Sequence, residues 1–225
     1  MTQSPQAGWR LAGHLGLSSP DKPLLAPLGR STGPVDQIAA LGAHGFAAIQ
    51  DLGFKFRPEA ELAAMAEALA RAGMVVSSFT GDGPLWNTPL WSRTDAEGRA
   101  MQQQSVATSA AMARRFGPLG TVCVTGLDPE RPRGVQLAAM AENLRRVAEP
   151  AAEAGLTLLV EPIAEARIPG MLLAELEHGA QVVEAVGLPP GRLLFDTGHA
   201  AMMGPDGAPA LRGELGLDDA AIGVV

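Results

Sequence analysis

Two carboxylates in the C-terminal half of the sequence stand where chemistry is expected. Glu161 directly follows the apolar run TLLV, and Asp196 directly follows the run RLLF. They are 35 residues apart, which fits one strand–helix unit, so we expect their strands to be neighbours. Adjacent strands lie about 4.8 Å apart, and two carboxylates that close repel each other unless a positive charge lies between them or one is protonated. A divalent cation with oxygen ligands is the natural occupant of such a pair.

Both acids also have a structural interpretation. Either could cap the helix that follows it, or pair with an arginine such as Arg167 or Arg192. A single acid directly after a buried run is a common coincidence, whereas two such acids on neighbouring strands are less common. The pattern therefore favours the metal site and leaves the structural role as the alternative.

The rest of the chain alternates between apolar runs and helical patterns. Runs typical of strands lie near residues 11–17, 46–52, 74–79, 121–125, 157–161, 192–196 and 221–225. Patterns with a 3.6-residue period lie between them, over residues 35–44, 59–72, 95–116, 135–154, 171–186 and 208–215. Gly73 predicts the end of the second helix, and Pro150 predicts a kink or break in the fourth.

This alternation predicts an α/β protein of the (β/α)8, or TIM-barrel, type. The strand runs after the first are almost wholly apolar, which is typical of parallel strands covered by helices. Seven strands and six helices fit about 35 residues per unit, and a full barrel typically takes about 250 residues. The 225 residues are therefore expected to form one domain, residues 1–225, with about six and a half βα units and an incomplete C-terminus.

Composition argues against several classes of function. The 17 basic and 24 acidic residues give a net charge of -7, which disfavours a protein that binds nucleic acid or an anionic membrane. Cys123 is the single cysteine, so a disulfide framework and a cysteine-based zinc site are excluded. No apolar run reaches the roughly 18 residues of a membrane span, and the first ten residues lack a signal-peptide pattern, so a cytoplasmic location is expected. An open barrel would expose strand edges, and a homo-oligomer is one way to cover them.

Several segments resemble the xylose isomerase-like TIM-barrel family of sugar isomerases and epimerases, and within it hydroxypyruvate isomerase. EPIAEARIPG at residues 161–170 and FDTGHA at residues 195–200 are similar to the family's EPIN…IPG and D-x-x-H segments. GFAAIQ at residues 45–50 is similar to its GF-x-x-VE segment. FTGDGPLWNT at residues 79–88 lies where the family has a polar loop after the third strand.

The resemblance implies a metal-dependent isomerase or epimerase of a small hydroxy-carbonyl compound or sugar. A Mg²⁺ or Mn²⁺ ion would polarise a carbonyl and stabilise an enediolate during a 1,2-proton transfer. Glu161 would be the first metal ligand and would also transfer protons, Asp196 would be the second ligand, and His199 would contact a substrate oxygen. Apart from the resemblance, His14 near the end of the first strand and Trp86 in the loop after the third are candidates for substrate contact, with a structural role as the alternative for each.

The sequence also departs from the family. The family's Asn is Ala164, its Thr-Arg-Asp is replaced by EAR at residues 165–167, and Gln50 stands in place of a glutamate. The family takes its third and fourth metal ligands from the seventh and eighth strands, whereas the sequence reaches Val225 within its apparent seventh strand. We therefore expect the cation to be held weakly and the turnover to be low, whether the chain is a shortened form, a natural fragment or a degenerate relative.

Two other functions stay open at this point. A metal-dependent DNA-repair endonuclease shares this barrel, but it needs more histidine and acid ligands and a basic surface. A non-catalytic relative that binds a small molecule or serves as a partner subunit belongs to another class of function. Gln50 and the absent last strands favour that second alternative.

Overall fold

A computed structural model describes residues 10–16, 22–187, 191–203 and 222–224 of the chain. The chain divides into two compact units, residues 1–79 and residues 80–225. In each unit strands and helices alternate along the chain, and the neighbouring strands whose pairing is described are parallel. The predicted α/β organisation in βα units is confirmed.

The first unit contains three strands and two helices. They are, in chain order, β1 (Ala12–His14), α1 (Pro34–Ala43), β2 (Ala48–Gln50), α2 (Glu59–Ala72) and β3 (Val75–Thr80), whose last residue falls in the second unit. β2 pairs in parallel with β1 and with β3. α2 ends at Gly73, which has a φ of 65°; only glycine adopts that left-handed conformation without strain, so the predicted helix stop is confirmed.

The second unit contains the strands that precede both candidate acids. Its helices are α3 (Ala96–Phe116), α4 (Arg133–Glu153), α5 (Leu176–Val186) and α6 (Thr197–Met202), and its strands are β4 (Leu119–Cys123), β5 (Leu156–Val160), β6 (Gly191–Phe195) and β7 (Ile222–Val224). Each strand from β4 to β7 pairs in parallel with the next. Because parallel strands end on the same side, the residues after β5 and β6 meet at one edge of the sheet.

Three elements differ from the prediction. α4 runs through Pro150 to Glu153, so the expected break is wrong; the proline lies in the last turn, where few backbone hydrogen bonds follow it. α5 begins at Leu176 rather than at residue 171, because Leu172 and Leu173 form backbone hydrogen bonds with the loops instead. α6 was not predicted, and the helix expected over residues 208–215 lies outside the described residues.

None of the helices in the described part of the chain combines the length and the apolar character needed to cross a bilayer.

Candidate functional site

Glu161 and Asp196 are positioned by the parallel pair β5 and β6. The register places Leu159 opposite Arg192 and Val160 opposite Leu193. Side chains alternate along a strand, so Glu161 shares the face of Leu159, and Asp196 shares the face of Leu194. Leu159 and Leu194 belong to one buried cluster, so both acids lie at the end of the strand face that carries this apolar layer.

We call this apolar layer the floor cluster. It consists of Val122, Val124, Leu159, Ile163, Met171 and Leu194. Trp86 and Ile168 are partly buried and pack against it. Trp86, predicted to contact substrate, therefore lies on the apolar layer adjoining the two acids.

The loop that carries Trp86 is held by buried hydrogen bonds. Trp91 donates its indole N–H to Asp82 over 2.7 Å, and its backbone N–H to the Thr125 hydroxyl over 3.1 Å. Asn143 of α4 donates its side-chain amide to the carbonyl of Trp91 over 2.9 Å. Buried polar groups that are fully bonded fix a loop in one geometry, so the segment around Trp86 is preorganised.

Asp196 has a structural role as well. Its Oδ1 accepts the backbone N–H of His199 over 2.8 Å and caps the N-terminus of α6. The capping alternative considered for the acids therefore applies to this residue. A carboxylate has two oxygens, so capping through Oδ1 leaves Oδ2 as a further acceptor, and the same cap holds the His199 backbone three residues on.

Glu161 lacks such a partner. Among the described residues its carboxylate makes no hydrogen bond and no ion pair, so the predicted alternative of a pair with Arg167 or Arg192 is not found there. Burial, followed by the charge of Asp196, raises the pKa of Glu161 from 4.5 to about 7. Desolvation disfavours the charged carboxylate and the neighbouring negative charge adds to that effect. Glu161 thus has the pKa of a proton acceptor that works near neutral pH.

The side chains of Glu161, Asp196 and His199 converge. One potential ligand atom from each lies within 4.8 Å of those from the other two. The His199 Nδ1 atom is buried and has no hydrogen-bond partner in the described part of the chain. Two neighbouring carboxyl groups and an imidazole nitrogen without a partner among the described residues form a donor set that fits a divalent cation.

His14 belongs to the first unit. It is the last residue of β1 and is partly buried, and its Nδ1 accepts the backbone N–H of Gly16 over 3.1 Å. Burial lowers the pKa of His14, and the charge of Asp51 opposes that shift. The ring is therefore neutral near pH 7, and because Nδ1 accepts, its proton is on Nε2. Its predicted contact with substrate stays a prediction.

Comparison with known proteins decides the family. The model of the xylose isomerase-like TIM barrel matches residues 35–224. The chain belongs to this family. The resemblance stated from residues 161–170 and 195–200 and the predicted TIM-barrel type are confirmed.

Individual relatives narrow the class of activity. The chain is 27% identical over 188 residues to a 2-oxo-tetronate isomerase of Cupriavidus necator, covering 80% of this chain and 69% of the relative. Among solved structures it resembles an AP endonuclease of family 2 from Brucella melitensis, with 18% identity, a TM-score of 0.68, and 88% of this chain and 72% of that one covered. It also resembles a 3-keto-D-glucoside 4-epimerase from E. coli, with 14% identity, a TM-score of 0.61, and 80% and 69% covered.

The two kinds of comparison carry different weight. The solved structures share less than a fifth of their sequence with this chain, so they show the fold alone. The family match and the isomerase relative support an isomerase or epimerase activity in general terms.

Proposed function

We propose that this protein is a metal-dependent isomerase of a short 2-oxo acid that carries a hydroxyl group on the carbon next to the carbonyl. The observation that carries the proposal is the convergence of Glu161, Asp196 and His199 within 4.8 Å at the ends of β5 and β6. The relative in Cupriavidus necator is named for a 2-oxo-tetronate, and hydroxypyruvate, which the sequence resemblance suggested, contains the same hydroxy-carbonyl-carboxylate unit. Both molecules can isomerise by moving one proton between adjacent carbons.

The chain's own residues account for the proton transfer. Glu161 takes the proton from the hydroxyl-bearing carbon, and the electron pair left behind forms a double bond to the former carbonyl carbon, giving an enediolate. Return of that proton to the former carbonyl carbon, with transfer of a proton between the two oxygens, leaves the carbonyl one carbon further along. A pKa near 7 suits a group that must both accept and return a proton.

The remaining groups bind and orient. Glu161, Asp196 and His199 would hold a Mg²⁺ or Mn²⁺ ion, which when bound polarises the substrate carbonyl. The unpartnered Nδ1 of His199 can alternatively donate to or accept from a substrate oxygen. The floor cluster, with Trp86 and Ile168 against it, presents apolar surface next to the acids and limits their contact with water.

Isotope exchange tests this proposal. The purified protein is incubated in deuterated buffer with Mn²⁺ and, separately, hydroxypyruvate, 2-oxo-tetronate and a panel of ketoses, and deuterium entry at the carbon next to the carbonyl is followed by NMR. Glu161→Gln should lower the exchange at least about a hundredfold, because it removes the proton acceptor with little change in volume. Glu184→Gln, which changes an exposed glutamate of α5, should leave it unchanged.

Two results would count against the proposal. Undiminished exchange in Glu161→Gln would remove Glu161 from the role of base. Absence of cation-dependent exchange with every substrate, in a protein that still binds them, would favour the non-catalytic alternative. A cytoplasmic location and self-association stay predictions.

A further inference from the structure

The first unit carries two polar side chains at the ends of its strands that the proposed proton transfer does not use. His14 ends β1 and Gln50 ends β2, and the parallel register pairs the two residues directly. A Cβ atom built on Gly13 would lie 2.5 Å from the Leu41 side chain of α1, so that position faces the helix. Because side chains alternate along a strand and registered residues of parallel strands share a face, His14 and Gln50 project together from the opposite face of the sheet.

Gln50 is buried without a hydrogen-bond partner for its side chain. The residue is 8% exposed, and its amide makes no hydrogen bond within the part of the chain that the structure describes. Neither polar atom of the amide is among the fully enclosed, unpartnered atoms of the described residues, so the amide end borders a space that water or a small ligand can reach. A buried amide without a partner costs stability, which favours a role in ligand binding over a role in supporting the fold.

His14 presents a hydrogen-bond donor next to this amide. Its Nδ1 accepts the backbone N–H of Gly16 over 3.1 Å, and burial lowers the pKa of the ring, so near pH 7 the ring is neutral and its proton is on Nε2. Registered positions on adjacent strands lie about 4.8 Å apart. The pair therefore offers three uncharged hydrogen-bonding atoms side by side: the Nε2 of His14, and the oxygen and nitrogen of the Gln50 amide.

The charged groups that follow this pair along the chain are already compensated. Asp51 is fully buried, and its carboxylate accepts the Arg57 Nε–H over 2.5 Å and the backbone N–H of Gly53 over 3.1 Å. Arg57 also donates to Glu61 over 3.0 Å. These residues leave no unpaired charge for an ionic ligand, whereas a hydroxyl group, which both donates and accepts, matches the uncharged atoms of His14 and Gln50.

We propose that His14 and Gln50 bind adjacent hydroxyl groups of an uncharged polyhydroxy compound, such as a sugar or a polyol. The Nε2–H of His14 donates to one hydroxyl oxygen, and the amide oxygen of Gln50 accepts from the neighbouring hydroxyl group. A compound with hydroxyl groups on adjacent carbons bonds to both residues at once. Neither residue belongs to the candidate metal site, and such binding requires neither the cation nor proton transfer.

NMR titration of the chelator-treated protein tests this proposal. The probe is erythritol, an uncharged four-carbon polyol that has no carbonyl and cannot be isomerised; 1,4-butanediol is the matched compound without adjacent hydroxyl groups. The ring signals of His14, assigned by comparison with His14→Gln, should shift with erythritol in roughly the millimolar range and stay in place with 1,4-butanediol. Gln50→Leu, which removes the amide at similar volume, should weaken erythritol binding roughly three- to tenfold.

Stability measurements separate ligand binding from a structural role. Without ligand, Gln50→Leu should unfold at the same urea concentration as the wild type or at a higher one, because it removes an unpartnered buried amide. Gln50→Glu tests the geometry, since a carboxylate beside the ring should raise the pKa of His14. Gln103→Leu, at an exposed position of α3, is the matched control and should change neither erythritol binding nor the pKa of His14.

Four results would overturn the proposal: His14 signals that erythritol does not shift, equal erythritol affinity in the wild type and Gln50→Leu, equal binding of the two alcohols, or a Gln50→Leu variant that is clearly less stable than the wild type. Glu161→Gln should bind erythritol as the wild type does. A protein that binds erythritol through Gln50 and yet exchanges no proton would retain this inference and refute the proposed isomerase activity.

Discussion

At the scale of single residues, the distinctive feature of the site is the partial burial of Glu161 beside a second acid. Its carboxylate has no hydrogen-bond donor among the described residues, and burial together with Asp196 raises its pKa to about 7. Such a group destabilises the folded protein when it is charged, and it is a better base than an ordinary carboxylate. The same feature thus opposes stability and favours proton transfer.

This feature predicts how stability depends on pH. The pKa of Glu161 in the folded protein, about 7, lies above its ordinary value of 4.5, so between these pH values the folded state binds more protons than the unfolded state. Its contribution to stability therefore falls as pH rises through that range. In the presence of a chelator, Glu161→Gln should be more stable than the wild type at pH 8 by on the order of 3 kcal/mol, and equally stable near pH 4.5.

Urea unfolding at the two pH values measures this difference. Glu184→Gln, at an exposed position of α5, should change the free energy of unfolding by less than about 0.5 kcal/mol at both. A stabilisation by Glu161→Gln of the same size at both pH values would contradict the argument, because it could not come from ionisation.

Sequence reasoning locates some of these residues better than others. Glu161 and Asp196 could be predicted because each directly follows an apolar run, which is a local signal. The position of His199, whose Nδ1 has no partner among the described residues, could not be predicted in the same way, since it depends on which distant groups the fold brings near it.

At the scale of elements, α6 combines a structural and a chemical role. The helix has six residues, and its N-cap is Asp196. The cap uses Oδ1 and fixes the backbone of His199, and the charge of the same carboxylate contributes to the raised pKa of Glu161. A short helix with few interactions of its own depends on such a cap, so one residue both forms the element and contributes to the candidate site.

Two substitutions separate these roles. Asp196→Asn keeps an oxygen acceptor for the cap and removes the charge, so α6 should persist while Mn²⁺ affinity falls at least about tenfold. Asp196→Ala removes both, and should be less stable than Asp196→Asn by about 1 kcal/mol. Mn²⁺ titration measures the change in affinity, and urea unfolding of chelator-treated samples measures the difference in stability. Unchanged Mn²⁺ affinity in Asp196→Asn would show that the residue is only a cap.

The elements that sequence periodicity misjudged share a cause. Met171, Leu172 and Leu173 are buried and continue the apolar pattern of α5, yet the backbone hydrogen bonds of Leu172 and Leu173 to neighbouring loops hold this segment outside the helix. In α4, the face that contains Ala148 and Ala151 is buried on both sides of Pro150, so packing maintains the helix despite one lost hydrogen bond. In both cases long-range contacts outweigh the local preference.

At the scale of the whole molecule, the repeat of βα units could be predicted from the sequence, and the substrate specificity could not. Each strand–helix unit repeats the same apolar pattern, so errors at one boundary leave the architecture unchanged. Substrate choice depends on the loops that follow the strands. The conformations of these loops depend on individual contacts, such as the hydrogen bonds of the turn at residues 164–168. Membership of the xylose isomerase-like family therefore establishes the fold and supports an isomerase or epimerase activity in general terms, and it leaves the substrate to experiment.

Cation binding should appear as stability of the whole protein. The candidate ligands come from the ends of β5 and β6 and from α6, which can meet only in the folded state, so an ion bound there stabilises that state. The described residues offer three ligand atoms, whereas Mg²⁺ and Mn²⁺ favour about six, so we expect dissociation constants in roughly the millimolar range.

Thermal unfolding with increasing Mn²⁺ measures this linkage. When the Mn²⁺ concentration is about a hundred times the dissociation constant, the free energy of unfolding should rise by about 2.7 kcal/mol. For a protein of this size that corresponds to an increase of roughly 5–10 °C in Tm. The double variant Glu161→Gln with Asp196→Asn should show no such rise in Tm. The control variant Glu184→Gln should show the same rise as the wild type. Saturation at nanomolar Mn²⁺ would mean that further ligands complete the site, and an equal rise in the double variant would place the ion elsewhere.

The stabilisation by Mn²⁺ should also depend on pH. Because a bound cation neutralises the repulsion between the two acids, the rise in Tm should be larger at pH 8 than at pH 5, where Glu161 is largely protonated.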